Sequence, residues 1–293
     1  MHIALVTTSW PVDEHDPAGH FVRAHARQLE RAGNVVTVLA PKPGGAFGWP
    51  GVPERIRERP LRALSAARWV ASARTHLRKL DVDRVVAHWA LPSAWPIAAG
   101  SRFPLEVVSH GGDVRLLVGL PHAARVGVVR RLVARVADWQ FVSGDLLEQL
   151  LETLDLKTRA HLARVARVQP APIEIPNVTS TIAELRRDLG ACRVAVSVGR
   201  LVRSKRVDRG IEHVSRSRDI QKLIVVGDGP ERASLQRLAR DLGVDALFVG
   251  AVGRPQALAW IGAADVLLHA SEAEGLSTVV REAEALGTPV IRI

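Results

Sequence analysis

The chain has 293 residues, of which 47% are hydrophobic, which is enough for two α/β domains with a core each and excludes a disordered protein. No apolar run is long enough to cross a bilayer, because the best candidate, Trp89–Ala99, contains Pro92 and Pro96. The single cysteine, Cys192, excludes an intramolecular disulfide and a cysteine metal cluster. These features predict a cytoplasmic protein.

The net charge of +10 is concentrated in the first half of the chain. Residues 1–176 hold 23 basic and 16 acidic side chains, whereas residues 177–293 hold 17 and 14. Nucleic acid, an anionic membrane surface or anionic substrates would each account for the excess, as would a general bias toward arginine. Charge alone selects none of them, although no nucleic-acid-binding motif or aromatic platform is present, so we expect no nucleic-acid partner.

Short β-branched runs alternate with longer amphipathic stretches along the chain. The predicted strands of the first half are Ile3–Thr7, Val35–Ala40, Arg84–His88, Glu106–Ser109 and Gln140–Ser143. Helical spacing of apolar residues marks Phe21–Ala32, Ile56–Leu80 and Ala123–Ala137. The basic stretch Arg55–Lys79 carries apolar residues among its arginines, which suits either an anionic leaflet or a core helix with a solvated face interrupted by Pro60.

The alternation resumes in the second half of the chain. Its predicted strands are Val194–Val198, Leu223–Gly227, Ala246–Val249, Val266–Ala270 and Pro289–Ile291, with helices such as Glu231–Leu242 between them. Such a pattern predicts parallel sheets with crossover helices. The proline-rich stretch Gln169–Pro176 is a natural hinge, so we expect two Rossmann-like domains, 1–176 and 177–293, facing across a cleft.

The segment from Glu274 to Glu282 is the clearest candidate for chemistry. It follows the strand Val266–Ala270, and a helix is predicted to begin near Ser277, which places the Gly275–Leu276 peptides at a positive helix N-terminus that suits an anion. The two carboxylates are about 12 Å apart if the interval is helical, so they could hold separate hydroxyls of one extended ligand. The alternative is a pair of solvated glutamates on an amphipathic helix.

Two further loops follow predicted strands of the second half. Arg200 and Lys205 lie just after Val194–Val198, where two fixed cations suit a departing diphosphate. Gly227 lies in Gly227–Asp228–Gly229–Pro230, which is not a dinucleotide fingerprint because position 232 is arginine. A ligand contact and a simple tight turn are both open for this glycine.

At these residues the chain resembles the large retaining glycosyltransferase family 4, which has the GT-B fold. The matching blocks are Gly199–Arg200 with Lys205, Gly227–Asp228–Gly229–Pro230, Ala263–Ala264–Asp265, Glu274 with Glu282, and Gly287–Thr288–Pro289–Val290. The resemblance implies that Arg200 and Lys205 hold the diphosphate of a nucleotide-sugar donor, with Gly227, Gly275 and Leu276 beside it. It implies that Glu274 addresses the transferred sugar and Glu282 the ribose.

The first half matches the same family through three loops. Gly19 lies where relatives have a glycine loop that closes over the phosphates, and a glycine lets backbone approach an anion closely. His88–Ser93 and Ser109–Asp113 also resemble the family, and relatives place an active-site histidine at the position of His110. His110 is therefore the candidate for contacting the donor sugar, with Asp113 supporting its loop.

The resemblance implies sugar transfer with retention of configuration, without a metal or other cofactor, to a lipid-linked, polysaccharide or small-molecule acceptor. An association with the inner membrane face is one option for the basic stretch. Relatives continue beyond the last predicted strand, so we expect an incomplete donor half, and the alternative function is a truncated, non-catalytic homologue that binds nucleotide or a protein partner. A nicotinamide-dependent dehydrogenase is excluded, because Thr7–Pro11 lacks the glycine fingerprint.

Overall fold

Alternating strands and helices form two separate parallel sheets in a computed structural model of the chain. The structure describes residues 1–13, 16, 19–48, 52–271 and 277–293. Two compact units result, the first made of Met1–Val12 and Ala18–Pro172 and the second of Asp13–Pro17 and Ile173–Ile293. The division after Pro172 falls within the predicted hinge stretch.

The first unit contains six strands and seven helices among its described residues. The strands are β1 (His2–Val6), β2 (Val35–Leu39), β3 (Arg84–His88), β4 (Leu105–Ser109), β5 (Val136–Phe141) and β6 (Ala166–Val168). The helices are α1 (His20–Arg31), α2 (Val52–Glu58), α3 (Ala63–Lys79), α4 (Gly112–Val118), α5 (His122–Val133), α6 (Gly144–Leu151) and α7 (Leu156–Val165), and an irregular helical segment covers Ala90–Ile97.

The sheet of the first unit is parallel throughout, in the order β2-β1-β3-β4-β5-β6. Its central strands are apolar on both faces, as in Ile3–Val6, which is completely buried, because crossover helices cover both sides of a parallel sheet. The strand order reverses between β1 and β3, and ligands of open α/β sheets bind at the carboxyl ends of the strands at such a point.

Three sequence predictions for this unit need correction. The predicted helix Ala123–Ala137 is too long, because α5 ends at Val133 and β5 begins at Val136, whose side chain is buried in the sheet. The predicted strands did not include β6, a three-residue strand that pairs with β5. The stretch Ile56–Leu80 is not one helix, since Arg59 is extended before Pro60 and α2 and α3 are separate.

The second unit has five strands and five helices among its described residues. The strands are β7 (Val194–Val198), β8 (Lys222–Val226), β9 (Ala246–Gly250), β10 (Val266–His269) and β11 (Val290–Arg292). The helices are α8 (Thr179–Leu189), α9 (Val207–Arg216), α10 (Arg232–Asp241), α11 (Arg254–Ala263) and α12 (Thr278–Ala285). The strands are parallel in the order β11-β10-β7-β8-β9, which is the order of the first five strands of a classic Rossmann fold.

Alternate residues of β7 pack into two hydrophobic cores on opposite faces of this sheet. Val194 and Val196 pack with α8, α11 and α12, whereas Ala195 packs with α9 and α10. Asp265, at the start of β10, accepts hydrogen bonds from both terminal nitrogens of Arg186 (3.0 and 2.8 Å) and from the backbone N–H of Val194 (2.7 Å). This carboxylate therefore ties α8 to the starts of β7 and β10.

None of the described helices combines the length and the hydrophobicity that a membrane span requires.

Candidate active site

The loop after β1 leads to the start of α1, at the reversal point of the first sheet. Gly19 is the residue before α1 and has a left-handed backbone with φ of 69°. A Cβ atom at this position would lie 2.7 Å from the carbonyl oxygen of Ser9, so a side chain would displace the loop. Close packing against Ser9 is thus a sufficient reason for glycine here, and the approach of Gly19 to phosphate stays a prediction.

His110 follows β4 and is held by the carboxylate of Asp113. Asp113 is only 1% exposed. Its Oδ1 accepts hydrogen bonds from the backbone N–H groups of His110 (3.0 Å) and Gly111 (3.2 Å), and its Oδ2 accepts one from Ala90 (2.8 Å). One buried side chain therefore fixes the loops after β3 and β4 to each other.

Three histidines from α1, β3 and the loop after β4 form a hydrogen-bonded chain. His25 Nδ1 lies 3.0 Å from His88 Nε2, and His88 Nδ1 lies 2.8 Å from His110 Nε2. Burial lowers the pKa of His25 to about 4 and the pKa of His110 to about 3, and it holds the pKa of His88 well below its ordinary value. All three rings are therefore neutral at pH 7.

Aromatic rings surround His110 on the side of α1. The ring of Phe21 lies 4.6 Å from that of His110, and the ring of Trp89 lies 5.2 Å from it, measured between centroids. Trp89 has φ of 72°, a strained value for a bulky side chain that persists only where the surroundings enforce it. Since Phe21 is two residues from Gly19, the structure brings the start of α1 and His110 together.

In the second unit the strand order reverses between β7 and β10, so the loops after these strands define the expected ligand edge. Arg200 and Lys205 both lie in the loop after β7, and the Lys205 side chain folds back toward Gly199. Burial lowers the pKa of His269, the last residue of β10, and the positive charge of Lys205 lowers it further. The structure thus places Lys205 near the ends of both strands.

Gly227 supports the loop that carries these two cations. The backbone N–H of Gly199 donates to Val226 (3.0 Å), and that of Leu201 donates to Asp228 (2.9 Å), so the loop runs along the end of β8. A Cβ atom at position 227 would overlap the carbonyl oxygen of Gly199. Backbone packing therefore explains Gly227, and a direct contact with the donor stays a prediction.

Glu282 lies on α12 with its side chain buried against Arg254, the first residue of α11. Arg254 donates from Nη2 to Glu282 Oε1 (2.8 Å) and to the carbonyl oxygen of Glu174 (2.6 Å). Burial raises the pKa of the Glu282 carboxyl, while the charge of Arg254 opposes this rise. Glu282 thus has a partner within its own unit, and its predicted contact with ribose is untested.

Glu274, Gly275 and Leu276 lie outside the described residues. The helix that follows them, α12, begins at Thr278 with Ser277 as its N-cap, close to the predicted start.

Two residues with clear structural roles, one in each unit, were missed in the sequence. Arg254 opens a helix, where a cation opposes the macrodipole, and this unfavourable placement was a signal for a nearby carboxylate. His25 follows Val22 at helical spacing on the buried face of α1, which was a signal for a buried polar partner.

The second unit is similar to a known family of enzymes. Residues 186–293, which make up most of this unit, match the family described as "Glycosyl transferases group 1". The predicted fold class, two Rossmann-like sheets of the GT-B type, is confirmed by the likeness to HepE of Anabaena in complex with UDP, with a TM-score of 0.68 over all of this chain and 80% of that one. The two chains are 20% identical, so this likeness shows the fold alone.

Similar sequences include glycosyltransferases from several bacteria. The chain is 26% identical to the teichuronic acid biosynthesis glycosyltransferase TuaC of Bacillus subtilis, whose own assignment is provisional, over 99% of this chain and 80% of that protein. It is 36% identical to a GDP-mannose-dependent alpha-mannosyltransferase of Corynebacterium glutamicum over 35% of this chain and 23% of that protein.

Proposed function

We propose that this protein transfers a sugar from a nucleotide diphosphate donor to an acceptor hydroxyl with retention of configuration. The observation that carries the proposal is the placement of Arg200 and Lys205 in one loop at the reversal point of a unit that matches the group 1 glycosyl transferase family. Two fixed cations stabilise the negative charge that develops on a departing nucleotide diphosphate. We propose that they do so without a metal ion.

The remaining predicted residues complete the proposed mechanism. Glu274 and His110 contact the transferred sugar, Glu282 binds the ribose, and Gly19, Gly227, Gly275 and Leu276 lie beside the donor phosphates. Departure of the diphosphate breaks the bond between the anomeric carbon and the phosphate oxygen and leaves an oxocarbenium-like sugar. The acceptor hydroxyl attacks this sugar from the same face and passes its proton to the departing phosphate oxygen. The nuclear magnetic resonance coupling at the anomeric carbon of the product tests retention, and an inverted product would contradict it.

Thermal-shift measurements with UDP, GDP, ADP and their sugars test the donor site. Uracil and guanine are the leading candidates for the base of the donor, because one similar structure contains UDP and one similar sequence is named for GDP-mannose. A nucleotide at a hundredfold its dissociation constant stabilises the folded chain by about 2.7 kcal/mol. Arg200→Ala removes a charge-assisted contact and is expected to weaken binding about 10-fold to 100-fold. The exposed Arg237→Ala on α10 is the matched control and is expected to bind normally.

The alternative function predicts a different pair of results. A non-catalytic homologue would show the thermal shift, yet it would release no nucleotide diphosphate when donor and acceptor candidates are supplied. If no nucleotide shifts the melting temperature of the wild-type chain, the donor site itself is refuted.

The acceptor is proposed to be lipid-linked or part of a glycan, with the first unit resting on an anionic membrane surface at the inner face. This part of the proposal is supported by the turn between α2 and α3. Leu61 and Leu64 are 81% and 57% exposed there, beside the exposed Arg57, Arg59 and Arg68, whereas Ala73 and Leu77 further along α3 are buried. Exposed leucines among arginines suit insertion between anionic lipid head groups.

Co-sedimentation with phosphatidylglycerol vesicles tests the membrane surface. The double variant Leu61→Asp/Leu64→Asp is expected to lose most vesicle binding, because it removes apolar burial and adds repulsion. Leu156→Asp on α7 changes an equally exposed leucine (86%) and is expected to bind as the wild type does. Equal binding by the wild type and the double variant would contradict this membrane site.

A further inference from the structure

The His25–His88–His110 chain contains more hydrogen bonds than a histidine needs for contact with a sugar. His88 is completely buried, and both of its ring nitrogens are used, one toward each neighbouring histidine. The ring planes of His88 and His110 are 10° apart, which suits an in-plane bond between an N–H and a ring lone pair. His110 Nε2 is therefore occupied by His88, and Nδ1 is the nitrogen left for a ligand.

The number of protons in this chain restricts its arrangements to two. A neutral imidazole has one N–H and one lone pair, and each link needs one of each. If His25 Nδ1 donates to His88, then His88 Nδ1 must donate to His110, and His110 keeps its proton on Nδ1. If His110 Nε2 donates, all bonds reverse and all three protons lie on Nε2. The three histidines must therefore share one tautomer.

We propose that His88 and His25 are positioning residues that set the tautomer of His110, and thereby decide whether its Nδ1 presents a donor or a lone pair to the sugar. This inference rests on the proposed function for the contact of His110 with the sugar, but the tautomer coupling itself does not. His25 does so through His88, since its own hydrogen bond in the chain is to that residue. An incorrect tautomer costs the enzyme a hydrogen bond at the reacting sugar.

Nitrogen-15 spectra of the histidine side chains at pH 7 test the coupling directly. The full chain is labelled at its 11 histidines, and long-range proton–nitrogen correlations distinguish a protonated from an unprotonated ring nitrogen. The expected result is three neutral rings with the same tautomer at positions 25, 88 and 110. Different tautomers at the three positions, or a His110 ring that averages between its two tautomers, would overturn the proposal.

Substitution at the far end of the chain tests the effect at His110. His25→Leu breaks the first link without changing the hydrogen-bonding groups of His88 or His110, so both tautomers of His110 are expected to appear. The kcat is expected to fall about ten-fold, and the Kd of the nucleotide diphosphate without its sugar is expected to stay unchanged. His88→Asn is the second variant, because its amide replaces the Nδ1 group toward His110 but can both donate and accept. It is expected to mix the His110 tautomers as well. His161→Leu alters an exposed histidine on α7 and is expected to change neither the tautomer of His110 nor kcat.

Failure of this inference and failure of the proposed function give different results. If the wild-type chain transfers no sugar while the three tautomers agree and respond to His25→Leu, the function is wrong and the coupling holds. If sugar is transferred and the His110 tautomer is unchanged in His25→Leu and His88→Asn, the coupling is refuted and the function stands.

Discussion

At the scale of single residues, the pair of Arg254 and Glu282 keeps two charged side chains buried away from most of the solvent. Their side chains are 10% and 8% exposed, and the backbone carbonyl of Glu174 accepts a further bond from Arg254. Removing charges from water costs free energy that is regained only when the partners stay together. The ion pair therefore fixes the position of the Glu282 side chain, which is proposed to bind ribose. The stability of each buried charge depends on the presence of the other.

Arg254→Met tests this dependence by replacing the cation with an apolar side chain of similar length. The buried carboxylate of Glu282 then loses the charge of Arg254, so the free energy of unfolding is expected to fall by about 3–5 kcal/mol. The pKa of Glu282, already raised by burial, is expected to rise further because the opposing charge is gone. Urea unfolding at pH 7 measures the loss.

The double variant Arg254→Met/Glu282→Leu is the control for this pair. Removing both charges is expected to restore most of the lost stability, since no unpaired charge remains. Equal losses in the single and double variants would show that packing, not charge pairing, is what Arg254 contributes.

At the scale of elements, two glycines let the loop after β7 lie against the end of β8. Cβ atoms at positions 227 and 229 would overlap the carbonyl oxygens of Gly199 and Leu201. The loop that presents Arg200 is thus held by backbone contacts with a neighbouring strand end. The position of the cations is a property of β7 and β8 together.

Gly227→Ala tests this packing. The added methyl group must displace the Gly199 carbonyl, and φ of 131° is unfavourable for alanine. The free energy of unfolding is expected to fall by about 2 kcal/mol or more, and nucleotide affinity is expected to fall with it. Gly144→Ala, where a Cβ atom meets no other group, is the matched control and is expected to be neutral. Normal nucleotide binding by Gly227→Ala would contradict this account of the loop.

The histidine chain joins α1, β3 and the loop after β4, and it makes the stability of these elements depend on pH. The pKa of His25 falls from 6.5 to about 4 on folding and that of His110 to about 3, so the unfolded chain binds more protons below pH 6.5. Stability is therefore complete above pH 6.5 and falls as the pH drops toward 4, by about 1.4 kcal/mol per pH unit for each histidine. The raised pKa of Glu282 acts in the opposite direction near its own titration.

Urea unfolding at pH 7.5, 6.5, 5.5 and 4.5 measures this slope. His88→Asn removes one buried imidazole and is expected to give a shallower loss of stability on acidification. His161→Asn changes an exposed histidine and is expected to keep the wild-type slope. A wild-type stability that is flat between pH 6.5 and 4.5 would contradict neutral burial of the three rings.

At the scale of the whole molecule, short β-branched runs predicted ten of the eleven described strands, because buried parallel strands have this pattern. One of the ten was misplaced, since the predicted Gln140–Ser143 shares only Gln140 and Phe141 with β5. The exception, Ala166–Val168, has no such run and is a strand only because β5 lies beside it. The end of α5 was misplaced for a related reason, since Val136 fits a helix face and a strand equally well until β4 is present. Pairing with a neighbouring strand therefore determined both β6 and the boundary between α5 and β5.

The location of Arg200 and Lys205 in the loop after β7 was predictable, because they directly follow a clear strand pattern, and their contact with a donor stays a prediction. The pairing of Arg254 with Glu282 and that of His25 with His88 could not be predicted from the sequence, because the two members of each pair are 28 and 63 residues apart, respectively. Such contacts depend on which helices and strands lie side by side. Spacing along the chain does not contain that information.

Transfer without a divalent ion is the last expectation at this scale. Arg200 and Lys205 supply two positive charges at the loop after β7, which is the charge that a bound Mg²⁺ would otherwise supply to a departing diphosphate. Sugar transfer is therefore expected to proceed at the same rate in the presence of EDTA. The measurement is release of nucleotide diphosphate with and without the chelator, with Arg200→Ala as a comparison in which added Mg²⁺ partly replaces the lost charge. Loss of activity in EDTA that Mg²⁺ or Mn²⁺ restores in the wild-type chain would show that the two cations are insufficient on their own.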